Sequence, residues 1–235
     1  MSVWAARRFW TTATVVPTEG GFAVQLDARP VRTPRKAPLI LPTAALAEAV
    51  AAEWQAQGDA VDPSTMPFTR TANSAIDTVT AQFDVVAQMV ADYGASDLLC
   101  YRAVDPADLI EVQARGWDPL LDWAAESLGA RLRTTAGIVH VAQPPESLAI
   151  LNGLVRTLTP FRLAAFHELV AISGSLILAL AVQRGRITAE EAWAQSRIDE
   201  DWQTALWGED EEAAEVARGK RAAFLQADRF YRLCG

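Results

Sequence analysis

The chain has 235 residues, of which 51% are hydrophobic and 21% are charged, a composition that is typical of a folded protein and excludes a disordered one. It carries 29 acidic and 21 basic residues, which argues against nucleic-acid binding because phosphate contacts depend on lysine and arginine. Two cysteines, Cys100 and Cys234, are too few for a disulfide framework.

The first forty residues have the composition of β-strands. Residues 7–17 (RRFWTTATVVP) and 21–31 (GFAVQLDARPV) are rich in β-branched and aromatic side chains, and a Gly20–Gly21 pair lies between them. Residues 37–42 (APLILP) are a third, shorter predicted strand. The pattern predicts a small antiparallel sheet, which is marginally stable alone and needs a cover on its apolar face.

A helix directly after these strands is the predicted cover. Thr43 can cap its first turn, and Leu46, Val50 and Trp54 fall four residues apart on one stripe. Gly58 is expected to end the helix, since glycine is the usual residue just beyond a helix C-terminus.

Helical periodicity dominates the rest of the chain, beginning with apolar residues at steps of three and four from Ile76 to Val90. Residues 58–73, which contain two prolines and several small polar residues, are interpreted as the connection between domains. The predicted fold class is therefore α+β. A small β-rich domain with its covering helix is placed at residues 1–68, and a larger, mainly α-helical domain at residues 69–235.

Proline, glycine and capping residues predict the helix boundaries in the C-terminal part. Asp105–Pro106 and Asp118–Pro119 each mark an expected helix start, and Gly129 is expected to close the second of these helices. Thr188 and Glu191 have the spacing of a capping box.

The longest apolar stretch, Leu169–Val182, is shorter than the roughly 20 residues that a helix needs to cross a bilayer, and it predicts a buried helix. Gly174 within it is interpreted as a small residue that lets two helices pack closely, the alternative being close approach of a ligand. Residues 1–16 contain two arginines and no acid, as a leader peptide would. Because they run into the first predicted strand, we expect a mature N-terminus instead.

Few residues of the kinds used in catalysis are present. His140 lies in residues 131–145, which predict a strand or a pair of strands, and His167 lies in a predicted helix. Neither belongs to a recognisable nucleophile motif, and the sequence contains no phosphate-binding loop and no zinc motif. Both histidines are interpreted as structural, and we expect no catalytic residue, no metal and no cofactor.

The segment from Ile198 to Ala217 contains eight acidic residues and no basic one. Since 29 minus 8 leaves 21 acidic residues against 21 basic ones, this segment accounts for the whole net charge of −8. Four of these acids, Glu209 to Glu212, directly follow Gly208, at the start of a last helix predicted from about Asp210 to Leu233. Carboxylates in that position complement the helix dipole by about 0.3–1 kcal/mol each.

Three interpretations of this acidic segment are open. It can be a solvated helix start, a surface for a protein partner, or a site for catalysis or a hard cation that pairs Glu200 or Asp201 with Glu209 or Asp210. The last interpretation would make the protein a carboxylate- or cation-dependent enzyme that uses the acidic cluster from Glu200 to Glu212.

Tryptophan is frequent in the predicted helices and at their edges, at Trp54, Trp117, Trp123, Trp193, Trp202 and Trp207. Most of these side chains are expected in the core, with the indole N–H hydrogen-bonded locally. Trp207 is the exception, because Gly208 beside it marks a break between helices. We expect Trp207 to be exposed and to serve as an apolar anchor for a partner.

Seven short motifs occur in the order found in one protein family: FAVQLDARPVRTP (22–34), AAEWQAQ (51–57), STMPFTRTANSAID (64–77), DLLCYRA (97–103), WDPLLDW (117–123), GSLILALAV (174–182) and DEDWQTALWGEDEEA (199–213). On these motifs the chain, from about Phe9 to Phe224, resembles the assembly chaperones of the F-type ATP synthase that handle its alpha subunit, the ATP-twelve family.

The resemblance implies a β-rich N-terminal domain, a larger helical domain and a function that is not enzymatic. The protein would hold the unassembled alpha subunit and prevent its aggregation until the beta subunit replaces the chaperone, without a cofactor. We expect a bacterial cytoplasmic protein that is monomeric when free, does not insert into membranes and does not bind nucleic acid.

The resemblance also implies which residues contact the partner. Glu209 and Asp210 are the first candidates and Glu212 is a further one, next to the anchor Trp207. Trp54 falls in the EW pair of the family and is expected, like Trp202, to support packing.

Overall fold

The computed structural model describes residues 7–235, and their contacts divide them into two units. The first unit comprises residues 7–83 with Thr159–Ala165 and Arg229–Gly235, and the second comprises Asp84–Leu158 and Phe166–Asp228. Residues 1–6, on which the leader-peptide interpretation depends in part, lie outside the described residues. The domain boundary expected between residues 68 and 69 stays a prediction.

The first unit contains the predicted antiparallel sheet. Its strands are β1 (Ala13–Thr18), β2 (Gly21–Leu26), β3 (Arg29–Pro30) and β4 (Ile40–Leu41). β2 pairs with β1 on one side and with β3 and β4 on the other, so β1 is an edge strand. The first strand starts later than the expected Arg7, because residues 8–12 make turn and side-chain contacts instead of ladder pairs.

A turn at Asp27 divides the second predicted strand into β2 and β3. Asp27 has a φ of +53°, in the left-handed region that few residues other than glycine adopt. Its carboxylate accepts hydrogen bonds from the backbone N–H groups of Thr12 at 3.0 Å and Thr11 at 3.1 Å. These bonds stabilise the charged form and hold the pKa of Asp27 below its ordinary value.

The predicted covering helix is confirmed as α1 (Ala44–Gln55). The Thr43 hydroxyl caps it by accepting a hydrogen bond from the Leu46 N–H at 3.1 Å, and Leu46 and Val50 are fully buried. The helix packs against β1 and β2. The expected end at Gly58 is wrong: Ala56 is the C-cap, and Gly58 does not adopt a left-handed conformation.

Part of the segment interpreted as a connection is a helix, α2 (Pro67–Ser74). The Glu53 carboxylate accepts hydrogen bonds at 2.7 Å from the N–H groups of Phe68 and Thr69 and from the Thr69 hydroxyl. Burial raises the pKa of Glu53, and the bonds from Thr69 offset part of that rise. A half-buried acid in α1 therefore satisfies the first N–H groups of α2, and this contact could not be read from local sequence.

Helices form most of the remaining chain, as the periodicity predicts. They are α3 (Phe83–Asp92), α4 (Ala107–Trp123), α5 (Pro145–Arg156), α6 (Pro160–Ser173), α7 (Leu176–Gln183), α8 (Ala189–Ser196), α9 (Ile198–Trp207) and α10 (Glu211–Leu233). The capping box of Thr188 and Glu191 is present, and Gly129 ends its helical segment with a φ of +76°. Strands near the N-terminus followed by helices confirm the α+β class.

The two Asp-Pro helix starts have different outcomes. α4 begins directly after Pro106, although Asp105 does not cap it. Asp118–Pro119 lies inside α4, so the second predicted start is wrong. The neighbouring Trp117 is fully buried and its indole N–H donates to the Gln195 carbonyl at 2.9 Å. We attribute the continuation of the helix through Pro119 to this tertiary packing, which overrides local preference.

Residues 131–145 form less strand than predicted. Only Thr135–Ala136 is extended in a ladder, as β6, and its partner is the parallel strand β5 (Tyr101–Arg102). His140 lies outside the strand and is exposed, with its Nδ1 3.0 Å from the Tyr101 hydroxyl.

The predicted buried helix over Leu169–Val182 is interrupted. Gly174 has a φ of +68° and separates α6 from α7, so its role is a turn and not close packing of two helices. Its carbonyl accepts a hydrogen bond from the Leu98 N–H at 3.1 Å. No helix within residues 7–235 has the length and apolar character needed to cross a membrane.

Candidate functional site

Helices α9 and α10 of the second unit carry the acidic segment, and each begins with carboxylates. Asp199, Glu200 and Asp201 lie in the first turn of α9, where they complement the helix dipole. The helix ends where Gly208 adopts a φ of +92°, and the Gly208 N–H donates to the Thr204 carbonyl at 2.9 Å. The chain then turns directly into α10.

Asp210 is the residue that starts α10. Its carboxylate accepts a hydrogen bond from the Ala213 N–H at 2.9 Å, and its carbonyl accepts one from the Ala214 N–H at 2.9 Å. This is the geometry of an N-cap. Glu211 and Glu212 follow in the first turn. The interpretation as a helix start is thus correct for Asp210, and the same side chain remains exposed.

An open groove of about 790 Å³ lies between α9 and α10. All four residues expected to contact a partner line it: Trp207, Glu209, Asp210 and Glu212. Its lining also contains small side chains of α10 (Ala213, Ala214 and Ala217) and four cations (Arg197, Arg218, Lys220 and Arg221). The structure therefore brings the predicted residues to one surface, which we call the hairpin groove.

Most of the cations in the hairpin groove are neutralised by neighbouring acids. Arg197 pairs with Glu200 at 3.2 Å and with Asp201 at 3.7 Å. Arg218 pairs with Glu215 at 2.6 Å, and Arg221 pairs with Glu190 at 2.6 Å.

The acids at the tip of the hairpin have no such partners. Within residues 7–235, neither Glu209 nor Glu212 forms an ion pair, and both are exposed. The rim of the hairpin groove is consequently negative at the α9–α10 turn, where a positive partner would find unpaired charge.

Exposed apolar side chains flank these acids. Trp207 is 79% exposed, which confirms the predicted exposure, and Leu206 and Val216 are 59% and 54% exposed. Sequence reasoning missed Leu206 and Val216. Adjacent residues on a helix point in directions about 100° apart. An amphipathic pattern therefore does not predict that Leu206 and Trp207 are both exposed.

The tryptophans expected to support packing are only partly buried. Trp54 stacks edge-to-face on Trp10 with ring centroids 5.3 Å apart, and Trp202 lies half-buried in α9. The indole N–H of Trp117 is hydrogen-bonded, but its acceptor, Gln195, lies 78 residues along the chain instead of nearby. The expected hydrogen bond is absent at Trp54 and Trp202, because neither indole N–H has an acceptor among the described residues. Their supporting role stays a prediction.

The arrangement can offer charge and apolar surface, but it does not form a metal centre. No group of three or more His, Cys, Asp or Glu side chains in the described part of the chain could hold a metal ion. His167 lies 3.8 Å from the Glu168 carboxylate on the same helix and is remote in sequence from the acidic segment.

Comparisons with known proteins identify the family. A profile of the ATP12 chaperone protein family matches residues 7–125, about half of the chain. The crystal structure of Atp12 from Paracoccus denitrificans is 54% identical with a TM-score of 0.95, covering 98% of this chain and 99% of that one. The Atu1473 protein of Agrobacterium tumefaciens is 44% identical with a TM-score of 0.91, covering 96% and 84%.

A eukaryotic relative agrees with these structures. Protein atp12, mitochondrial, from Schizosaccharomyces pombe is 27% identical over an alignment of 224 residues, and the match covers 89% of this chain and 76% of the yeast protein. The two solved structures match along nearly the whole chain. The chain therefore belongs to the ATP12 chaperone protein family.

Proposed function

We propose that this protein is an assembly chaperone of the F-type ATP synthase that binds the unassembled alpha subunit until the beta subunit replaces it. Membership of the ATP12 chaperone family supports the chaperone role. The observation that carries the proposal is the hairpin groove, where unpaired carboxylates and an exposed tryptophan share one surface. A subunit outside its ring exposes interface that would otherwise aggregate.

The chemistry of the hairpin groove fits reversible binding. Trp207 supplies a large apolar contact of the kind that dominates binding energy. Glu209, Asp210 and Glu212 supply negative charge, which accelerates encounter with a positive surface and disfavours acidic partners. Asp210 contributes twice, since it also caps α10.

Binding of this kind needs no bond chemistry, so we infer that the protein is not an enzyme. A lone chaperone that covers a ring interface acts as one copy for each client subunit, which favours a monomer in the free state. The charge balance of the chain disfavours nucleic acid as a partner. We propose that the protein acts in the bacterial cytoplasm.

The proposal is tested by diluting denatured alpha subunit into buffer with and without the protein and recording light scattering. We expect the protein, at a concentration equal to that of the alpha subunit, to suppress light scattering. Added beta subunit should then displace the protein from the alpha subunit. Co-purification from the native cell at low and high salt identifies the partner independently. Unchanged scattering together with an absence of alpha subunit in the purified complex overturns the proposal.

A further inference from the structure

The edge strand β1 leaves one set of backbone hydrogen-bonding groups without a partner in its own sheet. Val15 lies opposite Val24 in the β1–β2 ladder. The Val24 carbonyl accepts a hydrogen bond from the Val31 N–H at 2.9 Å, on the side of β2 away from β1. Since the N–H and C=O of one strand residue point to the same side, the Val15–Val24 pair is not hydrogen-bonded.

The N–H and C=O of Val15 therefore point outward, and no group among the described residues pairs with them. Ala13, two residues earlier, has the same orientation, and its N–H donates to the Gln55 side-chain oxygen at 2.8 Å. Pro17, two residues later, has no N–H to offer. At Ala13 and Pro17 the edge therefore offers only a carbonyl, whereas at Val15 it offers both an N–H and a carbonyl.

A groove of about 550 Å³ runs beside this open edge, between β1 and α1. Val15 faces it together with the small side chains of Ala51 and Ala52, and Glu48 lies on its rim. Glu48 is exposed and has no ion-pair partner among residues 7–235. The surface therefore combines unpaired backbone groups, shallow apolar space and one free negative charge.

We propose that β1 adds an extended segment of the unassembled client as a further strand, with an apolar side chain beside Val15 and a lysine or arginine opposite Glu48. A backbone carbonyl of such a segment can accept a hydrogen bond from the Val15 N–H. Its backbone N–H groups can donate hydrogen bonds to the outward carbonyls of Ala13, Val15 and Pro17. Its alternate side chains then lie over Ala51 and Ala52. The inference rests on the proposed function for the identity of the client and adds a second surface to it.

A second copy of this chain fits the edge less well than a client does. When β1 pairs with its own copy around Val15, the N–H of each Ala13 is already bonded to Gln55. The two Glu48 carboxylates would approach one another, and each chain carries a net charge of −8. Like charges at a contact disfavour association.

The experiment uses the full-length protein and synthetic 15-residue peptides tiled across the alpha subunit. Binding is measured by fluorescence titration, and hydrogen exchange of individual amides is measured by NMR. We expect peptides with alternating apolar residues and a basic residue to slow exchange of the Val15 amide at least about tenfold, as a new backbone hydrogen bond should.

Two variants test the same site without relying on exchange. Val15→Pro removes the outward N–H while leaving the bonds between β1 and β2 in place, and Val15→Ala is its control because it keeps the N–H. Ala52→Phe fills the groove from an exposed position, and Ala45→Phe adds the same ring to an exposed position of α1 outside the groove. Val15→Pro and Ala52→Phe should each weaken peptide binding about tenfold.

The proposal is overturned if no tiled peptide slows exchange of the Val15 amide, or if Ala52→Phe leaves peptide binding intact. Either outcome counts against the strand site even when the protein keeps whole alpha subunit in solution. If protection of the Val15 amide from exchange grows with protein concentration in the absence of peptide, a second copy of the chain occupies the edge. That outcome also overturns the proposal. Peptide binding at β1 without capture of the whole subunit would instead reject the proposed function and keep the strand site. The Ala52→Phe pair keeps the test decisive where Val15→Pro does not fold.

Discussion

The Ser175 hydroxyl donates a hydrogen bond of 2.8 Å to the carboxylate of Asp97, which is fully buried and lies 78 residues earlier in the chain. The same carboxylate accepts bonds from the N–H groups of Ile177 at 3.0 Å and Leu99 at 3.1 Å. Asp97 therefore caps the start of α7 from a distant segment and holds the break between α6 and α7 in place.

This contact predicts how stability depends on pH. Burial raises the pKa of Asp97 from 3.8 to about 6, and the hydrogen bonds from Ile177 and Ser175 offset only part of the rise. The folded protein thus holds this proton more tightly than the unfolded chain. The contribution of Asp97 to stability is fully present below pH 3.8 and is lost as the pH rises to about 6.

The measurement is urea unfolding of the wild type and of Asp97→Asn between pH 4 and pH 7. The free energy of unfolding of the wild type should fall relative to that of the variant by about 2 kcal/mol over this range. A difference that stays constant with pH, or one that grows in favour of the wild type, would show that the Asp97 pKa is not raised.

Glu209→Lys tests the charge at the rim of the hairpin groove. The side chain is exposed and unpaired among the described residues, so the unfolding free energy should change by less than about 0.5 kcal/mol. Capture of isolated alpha subunit should weaken about tenfold, with most of the loss in the association rate and less of it at high salt.

The matched control is Glu111→Lys, the same charge reversal at an exposed residue of α4 in the same unit. Glu111→Lys should leave capture unchanged. Equal effects of the two substitutions would assign the result to net charge and not to the hairpin groove.

Trp207→Ala tests the apolar anchor. Because the side chain is 79% exposed, its removal should leave thermal unfolding within a degree or two of the wild type. Capture should weaken about tenfold or more, as expected for a tryptophan that carries binding energy. Undiminished capture by the folded variant would remove Trp207 from the interface.

Trp117→Ala, unlike Trp207→Ala, is expected to destabilise the fold. The indole is fully buried and donates to the Gln195 carbonyl, so the substitution should cost about 3–5 kcal/mol of unfolding free energy. Trp117→Phe should cost less, because it retains most of the aromatic packing while losing the hydrogen bond. Chemical denaturation with far-UV circular dichroism measures both, and equal losses would indicate that packing contributes little.

Calorimetric titration with magnesium, calcium and manganese separates the chaperone from the alternative of an enzyme that uses the acidic cluster from Glu200 to Glu212. We expect no binding tighter than the millimolar range, since no metal-binding group of side chains occurs in the described residues. A micromolar site that is lost in a Glu200→Gln, Asp210→Asn double variant would favour the enzyme instead.

Helix boundaries that depend on local chemistry were predictable from sequence. Thr43 and the Thr188–Glu191 box form the expected caps, and Gly129 provides the expected left-handed end. In each case the signal and the structure that it produces lie within one turn of each other. The antiparallel pairing of β1 and β2 follows similarly from two adjacent runs of strand-forming residues.

Boundaries that depend on distant residues were not predictable. The break at Gly174 is stabilised by Asp97, and the helix passes through Pro119 beside the buried Trp117. The strand predicted within residues 131–145 is limited to β6, where the segment meets β5. Each prediction failed because the deciding partner lies far away along the chain.

The amino-acid sequence by itself determined the α+β class, the position of the excess negative charge and the resemblance to a chaperone family, because periodicity, charge and motif order are properties of the chain in one dimension. Tertiary structure alone decided that Trp207 and the acids of the α9–α10 turn share a groove, that three of the four cations in that groove are already paired, and that the backbone of Val15 faces outward. Exposure and pairing depend on which distant groups arrive beside a residue, and only the packed fold specifies them.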